Sequence, residues 1–146
     1  MRGLKLTIEP KPVSTWGITL ASRLPRDEWG ELRQECYRDA DYTCRVCDTT
    51  TSELHAHEVW VFDDKKRVQK LLGLLCLCEA CHDVKHFGRS SQVFPKSYLE
   101  TLIKHWCKVN GKTRQDFSKY LVEIHRINRK RADHQYIVKV GRRTLV

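Results

Sequence analysis

Nothing in this chain of 146 residues approaches the ~20 consecutive apolar residues of a membrane-spanning helix, so no membrane partner is expected. The opening residues, Met1 to Lys5, lack the apolar core of a secretion signal, which points to a cytoplasmic protein. Repeats and low-complexity tracts are missing too, and the length suits one domain with a modest core, where a structural metal helps most. Acidic residues are scarce in the last third: residues 101–146 hold three Asp+Glu against twelve Lys+Arg, whereas residues 1–100 hold fifteen of each. The net charge of +9 therefore belongs to the C-terminal stretch. That asymmetry fits a polyanionic partner, which for an intracellular protein usually means nucleic acid; the bland alternative is a solvated basic surface.

What is present in quantity is cysteine, and the count of seven is odd. An odd count without a secretion signal argues against a disulfide framework and for metal in a reducing compartment. Four of the seven form two Cys-x2-Cys pairs, Cys44/Cys47 and Cys78/Cys81, thirty residues apart. Each such pair turns the backbone so that both sulfurs converge on one ion, and two pairs complete a closed tetrahedral structural Zn2+ site. Thiolates held in this way are poor candidates for redox chemistry. Cys36, Cys76 and Cys107 are left over and read as small buried apolar residues.

His82 follows the second pair directly and His86 lies four residues on, so on a helix the two share a face and can reach a second ion. Leu54 to Phe62 alternates with period two and reads as a strand carrying His55 and His57; Leu71 to Leu77 is almost unbroken apolar and suits a second, buried strand. Two strands and a helix from Glu79 to Phe87 then make a ββα unit.

The order Cys-x2-Cys, strand bearing His, Cys-x2-Cys-His-x3-His resembles the HNH endonucleases. Within them it is similar to a phage and bacterial group that shares the string His-Glu-Val-Trp, here His57-Glu58-Val59-Trp60. The likeness extends through Asp63-Asp64, Val68-Gln69, Leu72, Gly73-Leu74, Leu77-Cys78, Cys81-His82, Val84-Lys85-His86 and Gly88. It also takes in Trp16-Gly17, the stretch from Trp29 to Tyr37 and Val109-Asn110-Gly111, and so covers most of the chain. The resemblance implies an α+β fold: a small zinc-stabilised treble-clef, ββα-metal core with flanking α-helices.

It also implies a function, the metal-dependent hydrolysis of phosphodiester bonds in DNA, double-stranded in particular. His57, His82 and His86 match the ligands of a catalytic divalent ion, Mg2+, Mn2+, Ni2+ or Zn2+. Three neutral imidazoles leave coordination positions for water and phosphate. The chain departs from the family at Glu58, where the general-base histidine normally stands. A carboxylate starts about two pKa units below imidazole as a base. Three roles are open to Glu58: base, added charge in the metal shell, or the mark of a dead centre kept for binding nucleic acid or a host protein. His55, two residues before His57 on the strand and so on its side, is a substitute base or extra ligand.

Lys85 and Arg89 near the metal helix, together with Arg129, Lys130, Arg131, Arg142 and Arg143, are candidate phosphate contacts whose bland reading is a wet surface. Along the chain, residues 1–26 carry three of the four prolines and read as an extended arm with at most one short strand, tacked down by Trp16. Residues 27–96 form the zinc core. Its first helix, from Asp27 to Asp39, turns Leu32, Cys36 and Trp29 inward, and its metal helix is closed by Gly88, with a loop from Arg89 to Pro95. Residues 97–146 add a basic extension packed into the same domain. It holds an amphipathic helix through Leu99, Leu102, Ile103, Trp106 and Val109 that ends at Asn110-Gly111, and a second helix capped by Thr113 and Asp116 with Phe117, Leu121, Ile124 and Ile127 inward. A last short strand is expected through Tyr136, Val138 and Val140.

Overall fold

The computed structural model describes residues 3–145. Met1, Arg2 and Val146, the extreme ends of the expected arm and tail, lie outside the described residues. The alternating and the apolar segments become two long antiparallel strands, β1 (Leu54–Asp63) and β2 (Val68–Cys78), running in register from Leu54 opposite Cys78 to Asp63 opposite Val68. The pairing passes from Val59↔Gly73 to Trp60↔Leu71, so Leu72 is an extra residue on β2 and the ladder bends there. Two short C-terminal strands, β3 (Ile137–Val140) and β4 (Arg143–Thr144), extend the sheet to the order β1-β2-β3-β4, with β3 parallel to β2. This leaves β1, the strand that carries His55 and His57, at the sheet edge.

The first cysteine pair sits in a tight turn whose ends are pinned: the Cys44 N–H donates to the Thr49 carbonyl at 2.9 Å and the Asp48 N–H to the Cys44 carbonyl at 3.0 Å. Arg45 N–H reaches the Cys76 carbonyl at 2.9 Å and ties the turn to β2. The second pair straddles the junction between β2 and a short helix. Because Glu79 through Lys85 lie in the α region while Cys78 is still extended, Cys81 and His82 are delivered on successive positions of one turn.

Numbering helices in chain order, α1 is Leu20–Arg23, α2 Arg26–Asp39, α3 Glu79–Lys85, α4 Phe87–Val93, α5 Lys96–Asn110 and α6 Arg114–Ala132. Helix α5 ends at Gly111 in the left-handed region, φ 62°, where a side chain would be strained. Helix α6 starts in the expected capping box, Asp116 accepting from the Thr113 N–H at 2.9 Å while Thr113 Oγ1 accepts from the Asp116 N–H at 3.1 Å. Trp106 of α5 packs against Phe117 and Tyr120 of α6. These side chains join Leu6, Ile8, Cys44, Leu77, Val84 and Leu102 in one cluster, so all three stretches of the sequence share a core.

The metal helix does not run to Phe87 and stop at Gly88. It breaks at His86 (φ −101°, ψ 38°), and Gly88 lies inside α4 where a loop was expected. The buried Phe87 and the Ser90 hydroxyl, which donates to the Asp83 carbonyl at 2.8 Å, hold α4 against the end of α3.

The arm contains no strand among the described residues. That agrees with at most one strand, but the arm is not extended throughout: it has a 3-10 turn at Val13–Thr15 and the helix α1. Trp16 does not tack it down, being 45% exposed. Leu6 and Ile8 do, each side chain stabilising by about 1.5–3 kcal/mol when fully buried. The Asn110 side chain supports them, accepting from the Lys5 and Leu6 N–H groups at 2.8 and 3.0 Å and donating to the Leu6 carbonyl. Helix α2 buries none of its residues fully; Leu32 and Cys36 face β2 near Cys76, whereas Trp29 turns to the other side. Among the described residues no helix is long and apolar enough to cross a membrane.

Candidate metal centres and the cleft beside them

The four paired cysteines converge. Their sulfurs lie within 4.8 Å of one another, and Cys47 Sγ stands 3.7 Å from Cys78 Sγ. A tetrahedron with zinc–sulfur bonds of about 2.3 Å has edges of about 3.8 Å, whereas a disulfide needs about 2.05 Å. All seven cysteines are free thiols. Hydrogen bonds from the Cys78 and Cys81 thiols pull Cys44 down, and the same bonds push Cys78 up to about 11 and raise Cys81 further. One negative sulfur in so small a volume opposes the next, so full deprotonation requires a cation at the centre. The cluster can hold a structural zinc ion. Around it, Cys81 Sγ lies 3.1 Å from His105 Nε2 on α5, a ring nitrogen placed to donate to sulfur.

On the other side of α3, His57 from β1, His82 and His86 bring donor nitrogens within 4.8 Å of one another. Ring centres are 5.7 Å apart for His57 and His82, 5.0 Å for His57 and His86, and 4.7 Å for His82 and His86. Burial lowers His82 to about 2 and His86 to about 3, aided by the neighbouring histidines and Arg89, so both rings are neutral near pH 7, the state a metal requires. His57 is 2% exposed. Its Nε2 meets Glu9 Oε2 at 2.9 Å; a carboxylate accepts, so this nitrogen is the donor. Its Nδ1 is then the nitrogen with a lone pair to offer, and it is buried without a partner. His55 stacks on His82 at 4.4 Å with rings 3° from parallel, on the His57 side of the strand.

Glu58 stands outside this group. Alternation along β1 turns it to the arm, where Oε1 accepts from the Leu20 N–H at 3.3 Å and Oε2 is buried without a partner. Burial raises its carboxyl, an effect only partly offset by the Leu20 bond and by Lys11. Lys11 in turn donates to the Ile18 carbonyl at 3.1 Å and lies 5.6 Å from the Trp60 ring centre.

The basic candidates separate by position. Arg89, Arg129, Lys130 and Arg142 are exposed, and Arg143 is exposed beside Glu28 at 3.5 Å. Lys85 turns inward and donates to Thr7 Oγ1 at 2.7 Å. Arg131 is corrected: it is buried, its guanidinium grips Asp64 at 2.9 and 3.1 Å and stands 4.1 Å from the Phe62 ring centre, so it ties α6 to the hairpin loop and has no free edge for a phosphate. The apolar positions Phe117, Tyr120 and Ile124 mark the inner face of α6, and position 131, seven residues past 124, falls on that face.

The imidazoles form part of the wall of a cleft of ≈ 660 Å³. The arm, the edge of β1, α2, the α3–α4 junction and α6 enclose it. Leu121, Ile124, His125 and Asn128 of α6 line it at helical spacing, as do Trp29, Arg33 and Tyr37 of α2. Glu9, Lys11 and His105 were not legible as site residues. Glu9 is a single carboxylate in a proline-rich segment 48 residues from its partner, and nothing local marks it. His105 has a weak signal, as the neighbour of Trp106 on the apolar side of α5. No family model, curated protein or solved structure matches the chain.

Proposed function

We propose that the protein is a metal-dependent endonuclease of the HNH type that hydrolyses phosphodiester bonds in DNA, with the zinc-bearing cysteine turns acting as a treble-clef scaffold. The observation that carries this reading is the convergence of three imidazoles, one from an edge strand and two from α3 and its end, at the wall of an open cleft beside a closed sulfur quartet. His57 Nδ1, His82 and His86 would hold the second ion. Imidazole donors suit Zn2+ or Ni2+ better than Mg2+ or Mn2+, which prefer oxygen. When bound, the ion would supply Lewis-acid stabilisation of the charge that develops on the phosphate and leaving oxygen.

The chain's own residues supply the rest. Glu9 orients His57 and keeps its proton on Nε2, as carboxylates commonly do for metal-bound imidazoles. His55, stacked on His82, is the base. It takes a proton from water as the water oxygen bonds to phosphorus; the phosphorus–oxygen bond to the leaving sugar breaks, and that oxygen keeps the electron pair and gains a proton from solvent. Glu58 anchors α1 to the strand and takes no part in this transfer. Arg89 at the cleft and the exposed Arg129, Lys130 and Arg142 attract the polyanion.

One observation favours a second reading, a binding module without catalysis: the residue after the first metal-type histidine is spent on the Leu20 N–H. Plasmid nicking with added Zn2+, Ni2+, Mn2+ or Mg2+ decides between them. Cleavage lost in His57→Ala and His86→Ala but kept in the surface variant Val122→Ala supports the nuclease. DNA binding without cleavage under any ion supports the module.

A further inference from the structure

Trp16, Trp29, Tyr37 and Trp60 line the cleft. Trp16 remains 45% exposed although its indole is held in place, Nε1 donating to the Lys11 carbonyl at 2.9 Å. Helix α2 runs for 14 residues without fully burying one, yet its cleft side presents Trp29, Arg33 and Tyr37 at i, i+4 and i+8, with the Arg33 guanidinium 5.9 Å from the Trp29 ring centre. Leu32 and Cys36 pack α2 on β2, but Trp29 lies on the other side of the helix, at the cleft, and is only half-buried.

Access points the same way. The imidazoles are recessed behind the arm, His57 almost wholly so, and the cleft beside them is of the size that takes a small ligand. A stiff duplex with its bases stacked inside is too bulky for a cleft of ≈ 660 Å³, whereas part of one strand with its bases free can enter it. Aromatic rings offer such bases a stacking surface of low sequence preference, and a guanidinium beside the rings offers a fork for phosphate oxygens.

We propose that the substrate of this cleft is single-stranded DNA, an unpaired base stacking on the indoles of Trp16 and Trp29 while Arg33 and Arg89 hold the phosphates on either side. This rests on the phosphodiesterase reading of the same cleft. The chemistry at the centre is unchanged; the inference concerns the strand that reaches it.

The test uses the full chain with its structural zinc. Fluorescence anisotropy measures binding, without a second added metal, to a labelled oligonucleotide of about 12 nucleotides, alone and annealed to its complement. The single strand is expected to bind at least about tenfold more tightly than the duplex. Trp16→Ala and Trp29→Ala should each weaken single-strand binding by about tenfold, with Trp16→Phe close to wild type. Unchanged circular dichroism shows that the variants fold; Trp16→Ala, at an exposed position, serves if Trp29→Ala does not. Equal affinity for duplex, tighter binding of the equivalent RNA, or no loss in Trp16→Ala overturns the proposal. Cleavage run in parallel keeps the two readings apart. Duplex cutting without single-strand preference removes this inference and leaves the nuclease. Selective, tryptophan-dependent binding without cutting removes the nuclease and overturns single-stranded DNA as substrate, leaving it as a ligand bound by the cleft.

Discussion

Cys81 and His82 are adjacent in the chain and on the same short helix, yet they face environments of opposite kind. The sulfur quartet is embedded in the hydrophobic core, with Leu77, Val84 and Trp106 in the same cluster and a histidine placed to donate to one of its sulfurs. The imidazole trio opens on a cleft and includes a buried nitrogen without a partner. Consecutive residues on a helix point about 100° apart, so α3 can present one side to a closed site and the other to an open one. Closed coordination stabilises a fold; an open one leaves positions for chemistry.

The strongest way to break this contrast is Cys44→Ser. With the quartet incomplete, the chain should lose its tightly held zinc, about one per chain in the parent, and its cooperative unfolding transition. Metal analysis with thermal circular dichroism checks this, and a variant that stays folded without zinc would remove the structural role.

His82→Ala, one residue from Cys81, should act on the other side of α3 alone. Cleavage should fall by at least about 100-fold while the structural zinc and the fold remain. A collapse of the fold in this variant would show that the two clusters are one structural unit.

A finer contrast lies along β1. His55→Ala is expected to lower kcat by about 10²–10⁴ with small change in KM, as loss of a general base does, whereas Glu58→Gln should leave kcat within a few-fold. The reverse result would return the base to Glu58. Glu9→Ala should weaken binding of the second ion by about 10–100-fold without altering the sulfur site, with Glu9→Gln recovering part of the loss. Calorimetric titration with Zn2+ on protein already carrying its structural zinc reads this directly.

The smallest effect expected is a dependence on pH. His82 and His86 are held below the ordinary imidazole value, so the unfolded chain binds more protons than the folded one once the pH drops below about 6.5. Without the second ion, the stability these rings contribute is fully present above about pH 6.5 and is lost progressively as the pH falls from there towards 3. Replacing both rings with Ala should flatten urea midpoints between pH 7 and 5, and a slope unchanged in that variant would locate the proton uptake elsewhere.

Much of this arrangement was legible locally. The two Cys-x2-Cys turns, the His82/His86 spacing, the hairpin strands and the Thr113–Asp116 cap depend on residues within a few positions of each other, or on a period of two or 3.6, and they stand where the pattern puts them. Helix α4 was not legible because Gly88 resembles a stop signal. What overrides it is the burial of Phe87 and the Ser90 hydroxyl on Asp83, both tertiary effects. Arg131 read as surface charge because its partner Asp64 lies 67 residues away.

The sequence by itself determined which donors are available and that they come in two sets, since ligand chemistry and short-range spacing are properties of residue type and local geometry. Only the tertiary structure decided that Glu9 reaches His57, that Glu58 turns to Leu20 and that Trp16 is left in the cleft. The reason is the path of the arm: it is held by contacts with Asn110 and Tyr120, more than a hundred residues distant, and no local pattern encodes a loop closure of that length.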